Sequence, residues 1–146
     1  ETLYQHLYTP QLDAYLSAHF SIPENADGKT LLLSLADATL SFSEEIGREM
    51  TSLSVVVMLN RGTSHLFTEG RIHTRLLSQS QTEKTLQCEG NERELMLIYS
   101  CLMVGFLVKW ASAASDSDFD WHSLLSREMR LMFVRPPEIT DVFNAP

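Results

Sequence analysis

The side chains that could do chemistry in this 146-residue chain are five histidines, two cysteines and a few clustered charges. His6, His19, His65, His73 and His122 are scattered, and no two stand three or four residues apart, the spacing that puts a pair of metal ligands on one helical face. Cys88 and Cys101 are likewise too isolated to form a metal knuckle, so no metal is expected. Glu44-Glu45 and the trio Asp116, Asp118 and Asp120 are the acid clusters. Carboxylates do acid–base work when burial raises the pKa of one of them. These lie in hydrophilic stretches, which points to solvated charge. Arg71 and Arg75, four apart, could bind an anion, but a wet helix face, paired with Glu69 or left free, is the reading adopted. The chain has no G-x-S-x-G elbow, no P-loop and no G-x-G-x-x-G after a strand. No catalytic residue and no cofactor is therefore nominated, and the chain is expected not to be an enzyme.

The totals narrow the classes further. Nineteen acids against eleven bases give a formal charge of −8, which disfavours nucleic acid and anionic lipid, since both are held mainly by Lys and Arg. Apolar content of 44% argues for one folded domain over residues 1–146, with an additional segment at 1–10 and a loose tail at 137–146. Cys88 and Cys101 sit among apolar neighbours and read as reduced, half-buried thiols, as in a cytoplasmic protein. Glu1 to Phe20 lacks the pattern of a signal peptide. Leu95–Val108 is the most apolar run, yet falls short of the roughly 20 residues that cross a bilayer, so no stable membrane insertion is expected.

The elements that would position these groups are expected in the order helix, three strands, helix, two strands, helix. Leu12, Tyr15, Leu16, His19 and Phe20 form one stripe of a helix over Gln11–Phe20, with Pro10 in its first turn. Thr30–Leu35 reads as a strand. Ala38, Leu40 and Phe42 then alternate with Thr39, Ser41 and Ser43, the period of a strand with one wet face. Leu53–Leu59, rich in β-branched residues, reads as a third strand after a polar connection over Ser43–Glu49. A helix is expected over Ser64–Gln79, and a hairpin pairs Lys84–Cys88 with Glu94–Cys101. Glu92–Ala114 admits two readings: a strand to Cys101 followed by a helix through Trp110, which is adopted, or one long buried helix. The last helix spans Phe119–Phe133, with Pro136-Pro137 beyond it. The expected fold is thus α+β, an antiparallel sheet with helices packed on it.

Leu12–Pro23, Asp27-Gly28 and the run Leu33-Ser34-Leu35-Ala36-Asp37-Ala38-Thr39-Leu40-Ser41-Phe42 resemble the first helix and the strand–acidic turn–strand of class I type III secretion chaperones, the Tir-chaperone-like family. Leu95–Trp110 is more apolar than that family's last strand, and Glu1–Tyr8 is an addition to it. The resemblance implies a non-catalytic bacterial cytoplasmic chaperone that holds an extended segment of a secreted effector or gatekeeper protein, as a homodimer or as a heterodimer with a related chaperone. On that basis Leu12, Leu16, Phe20, Leu32, Leu40 and Phe42 would hold the partner, unless all six are ordinary core, and Leu95, Leu97 and Tyr99 would form the dimer interface. The alternative is a small α/β ligand-binding or sensory domain whose cavity is lined by Tyr99 and Trp110.

Overall fold

The structure, a computed structural model, describes residues 2–21, 28–61, 92–114 and 118–133. Among these residues the ordered elements are five α-helices and no strand: α1 (Thr2–His19), α2 (Gly28–Ile46), α3 (Arg48–Arg61), α4 (Glu92–Ser112) and α5 (Trp121–Phe133). The expected antiparallel sheet is replaced by a helical bundle. The expected helix over 64–79, the strand over 84–88 and the tail at 137–146 lie outside the described residues.

The two runs read as strands between Thr30 and Ser43 are one helix, α2, and its hydroxyls explain the misreading. A strand would put Thr39, Ser41 and Ser43 on the wet face, but Thr39 and Ser43 are fully buried. Helical geometry lets each hydroxyl donate to the carbonyl one turn back, Thr39 to Leu35 at 2.8 Å and Ser43 to Thr39 at 3.0 Å. With these polar atoms satisfied internally, Leu31, Leu32, Leu35, Ala36, Leu40 and Phe42 form a broad buried face at helical spacing.

Gly47 ends α2. Its φ of +89° is a left-handed conformation that favours glycine, and its N–H donates to the Ser43 carbonyl at 3.0 Å, as at a helix C-terminus. The expected polar connection thereby shrinks to one residue before α3 begins. The third expected strand, Leu53–Leu59, lies within α3, where Thr51, Ser54 and Val55 are buried at positions i, i+3 and i+4. β-branched residues lose only a few tenths of a kcal/mol each in a helix, and tertiary packing outweighs that.

α4 takes the second of the two readings of Glu92–Ala114. Tyr99, Met103, Leu107 and Trp110 are buried at a spacing of three to four residues, while Leu97, Ile98 and Val108 are exposed. α1 starts at Thr2 rather than Gln11 and continues through Pro10. A proline inside a helix costs about 3 kcal/mol. Tyr8, Leu12 and Leu16 lie on one face spanning that position and are all buried, at about 1.5–3 kcal/mol for a large apolar side chain, so the stripe outweighs the break.

α2 is the central element, in contact with each of the other four helices; α5 packs chiefly on α2, and α4 on α3. Tyr8 joins α1 to α2, its ring edge-on to Phe42 at 5.3 Å and its hydroxyl 3.1 Å from Ser43 Oγ. The Tyr99 hydroxyl reaches across from α4 to Thr39. Burial pushes the pKa of both phenols well above its ordinary value, so they serve as neutral hydrogen-bonding groups. Arg48 stacks on Trp110 with its guanidinium 5.3 Å from the ring centroid and donates to the Ala113 carbonyl, tying the α2–α3 corner to the end of α4.

Candidate functional site

α4 and α5 are not packed on one another as the other neighbouring helices are, and a cleft of ≈ 440 Å³ remains between them. Its walls are Leu102 and Phe106 from α4 and Trp121 and Leu124 from α5, with Phe106 and Trp121 meeting edge to face at 5.9 Å. Phe119, just before α5, stands at the mouth with 64% of its surface exposed and its ring 5.7 Å from that of Trp121. Gly105 lines the same cleft, and a Cβ there would meet nothing within 4 Å. A glycine at an exposed position inside a helix costs about 1 kcal/mol relative to alanine. Here it keeps the α4 side of the cleft open to close approach.

The same stripe of α5 continues past the cleft. Trp121, Leu124, Glu128 and Leu131 follow one another at helical spacing, and Leu131 is 69% exposed. Of the charged residues, Lys109 and Glu128 line the cleft, and Asp118 and Asp120 flank Phe119 in sequence. Cys101 is exposed and lines the cleft, rather than half-buried as its neighbours suggested.

On the opposite side α5 is latched to α2. His122 Nδ1 lies 2.5 Å from Asp37 Oδ1 and Nε2 lies 3.0 Å from Glu44 Oε2, so one imidazole bridges two carboxylates seven residues apart on one helix. Partial burial pulls the His122 pKa down, but hydrogen bonds and charge from Glu44 and then Asp37 outweigh it and raise the pKa above the ordinary imidazole value. Asp120 caps α5: its Oδ1 accepts the Ser123 N–H at 3.1 Å and its Oδ2 the Ser123 hydroxyl at 2.7 Å. These bonds lower its pKa.

No family model matches the chain, and no curated protein or solved structure matches it significantly.

The residues nominated from sequence fall mostly inside the body. Leu12, Leu16, Leu32, Leu40 and Phe42 are buried in the shared core, and Phe20 packs half-buried against it. Tyr99 and Trp110 are core as well, and neither lines a described cavity. Leu97 is exposed on α4; Leu95 lies on the same helix, its side chain outside the description. The sequence nominates neither Gly105 nor Phe119, and His122 stands in it only as one of five scattered histidines. The pairing of His122 with Asp37 and Glu44 could be suspected only once residues 37 and 44 were placed two turns apart on one helix. Among the described residues no group of three potential ligands could hold a metal ion, and no helix is long and apolar enough to cross a membrane.

Proposed function

We propose that this chain is a non-catalytic helical binding module that takes an amphipathic helix of another protein into the cleft between α4 and α5. The observation that carries the proposal is a cleft with apolar walls, an open glycine on one side and an exposed phenylalanine at its mouth. Helix-in-groove recognition seats anchors at i, i+3 or i+4, and i+7, and the continuation of the stripe to Leu131 gives such a helix a track. The net charge of −8, with Asp118 and Asp120 on either side of Phe119, favours a partner whose anchors are flanked by Lys and Arg. Binding another polypeptide is the part of the chaperone reading that this proposal keeps. The strand–turn–strand on which the family resemblance rested is the single helix α2, and five of the six residues expected to hold the partner, all but Phe20, are buried in the core.

Fluorescence anisotropy with a labelled helical peptide carrying Leu and Trp anchors and Lys/Arg flanks tests this. The expected result is saturable binding, weakened about tenfold or more by replacing the basic flanks with acids and by Gly105→Phe, which fills the cleft. The melting temperature of the variant shows that its fold is kept. Equal binding by wild type and G105F, or indifference to the flanking charge, overturns the proposal. So does concentration-dependent self-association abolished by G105F, which would make a second copy of the chain the occupant.

A further inference from the structure

We propose that a second cavity, between α1, α2 and α5, is a site for a small organic anion whose carboxylate or phosphate head meets Arg130 and whose apolar body lies against Tyr15 and Phe20. The cavity measures ≈ 510 Å³, within the range of small-molecule sites, and combines an apolar side with several polar groups. Arg130 lines it and has no carboxylate partner among the described residues; its Nε makes one long bond, 3.5 Å, to Ser126 Oγ. A guanidinium so placed keeps most of its donor fork for an incoming anion.

The serines of α2 differ from their neighbours in a way that favours the same ligand. Thr39 and Ser43 turn their hydroxyls back onto the helix carbonyls, as do Thr51 and Ser54 on α3. Ser34 and Ser41, two turns apart on the cavity side of α2, make no hydrogen bond among the described residues. Their hydroxyls are available to an oxygen-rich head group. The carboxylate in the lining, Asp37, pairs through Oδ1 with His122 at 2.5 Å and makes no ion pair with Arg130.

The apolar side is equally defined. Tyr15 and His19 stack with ring centroids 4.4 Å apart, and Phe20 and Leu33 line the cavity beside them. The His19 ring is fixed because Nδ1 must donate to the Tyr15 carbonyl, 3.0 Å away, which is an acceptor only. An aromatic or branched aliphatic body suits this wall. None of these residues lines the α4–α5 cleft, so the inference stands apart from the polypeptide-binding proposal.

Isothermal titration calorimetry with phenylacetate, phenyl phosphate and the neutral phenylacetamide tests it on the full chain. At least one anion is expected to bind about tenfold or more tightly than the amide, the preferred head group separating a carboxylate site from a phosphate site. Arg130→Gln should lower that affinity by about tenfold or more, Arg130→Lys by less, and Gly105→Phe not at all. Thermal melts of the variants establish that the exposed position 130 leaves the fold intact. Failure of both anions to outbind the amide, or an R130Q protein that binds like wild type, overturns the inference.

Discussion

The two concave surfaces on either side of α5 are built on opposite principles. The α4–α5 cleft is lined by Leu102, Phe106, Phe119 and Trp121 and gains room from a glycine. The α1–α2–α5 cavity presents Arg130 and two serine hydroxyls, with Tyr15 and Phe20 as its apolar side. The latch of His122 on Asp37 and Glu44 lies on the second side only. One helix thus spends its inner face on the core through Leu125 and Met129, and its flanks on two chemically different openings. An apolar cleft suits side chains of a polypeptide, whose own fold supplies specificity. A mixed cavity with an uncommitted arginine suits a ligand small enough to be oriented by one ionic contact.

The sharpest way to separate these faces is truncation along α5. Met129 is fully buried, and Met129→Ala should cost about 2–5 kcal/mol through lost burial and a residual void. Leu131 is 69% exposed, and Leu131→Ala should change stability by no more than about 0.5 kcal/mol while weakening peptide binding to the cleft. Urea unfolding of the two variants checks the pair. Equal costs would mean that Leu131 is covered in solution, and the outer stripe would then not be an open track.

Two glycines give a second contrast, of smaller size. Neither would crowd an added Cβ, but Gly47 has φ of +89° and Gly105 does not carry a positive φ. Gly47→Ala should therefore destabilise by about 1–2 kcal/mol through left-handed strain. Gly105→Ala should stabilise by about 1 kcal/mol through helix propensity. Thermal melts read both signs directly. A destabilised G105A would show that the backbone there is not ordinary helix, and the account of the cleft would lose its spacer.

The sequence made the terminal helices legible and hid the middle. Over Gln11–Phe20 and Phe119–Phe133 the apolar residues recur at 3.6 and Pro or Asp mark an end, so helix was read correctly although α1 extends further back. In α2 the pattern is ambiguous because Thr39 and Ser43 occupy core positions, and a buried hydroxyl bonded to its own helix looks, in sequence, like a solvent-facing one. In α3 the run Val55-Val56-Val57 reports β propensity, which packing overrides. α4 is apolar on nearly every side, so periodicity carries little information there, and the strand adopted up to Cys101 is instead the first half of one helix. Of the site, composition carries only the net charge of the whole chain, −8, and not where it falls. The cleft was not readable, because it arises from two helices that fail to pack on one another, a property of neither alone.

The smallest expected effect is the pH dependence of the latch, and its sign follows from His122. The folded-state pKa is raised above the ordinary value of 6.5 because Glu44 and Asp37 hold the imidazolium, so folding favours the protonated ring. The stabilisation is then fully present below about pH 6.5, the unfolded-state pKa, and is lost as pH rises through the higher folded-state value. The His122 charge also acts on Asp120, whose pKa is lowered chiefly by its bonds to Ser123 and to a lesser extent by that charge. His122 and both carboxylates are more than a third exposed, so screening holds the effect below about 1 kcal/mol, and salt should reduce it further. Measured as the difference in unfolding free energy between wild type and His122→Gln, which cancels the titration of the other histidines, the wild-type advantage should shrink on going from about pH 6 to about pH 8. Because Asp37 lines the α1–α2–α5 cavity and not the cleft, loss of the latch should loosen anion binding there more than peptide binding in the cleft. An advantage that grows with pH would mean that folding favours the neutral ring, which cannot donate to both carboxylates, and the electrostatic distinction between the two sides of α5 would have to be abandoned.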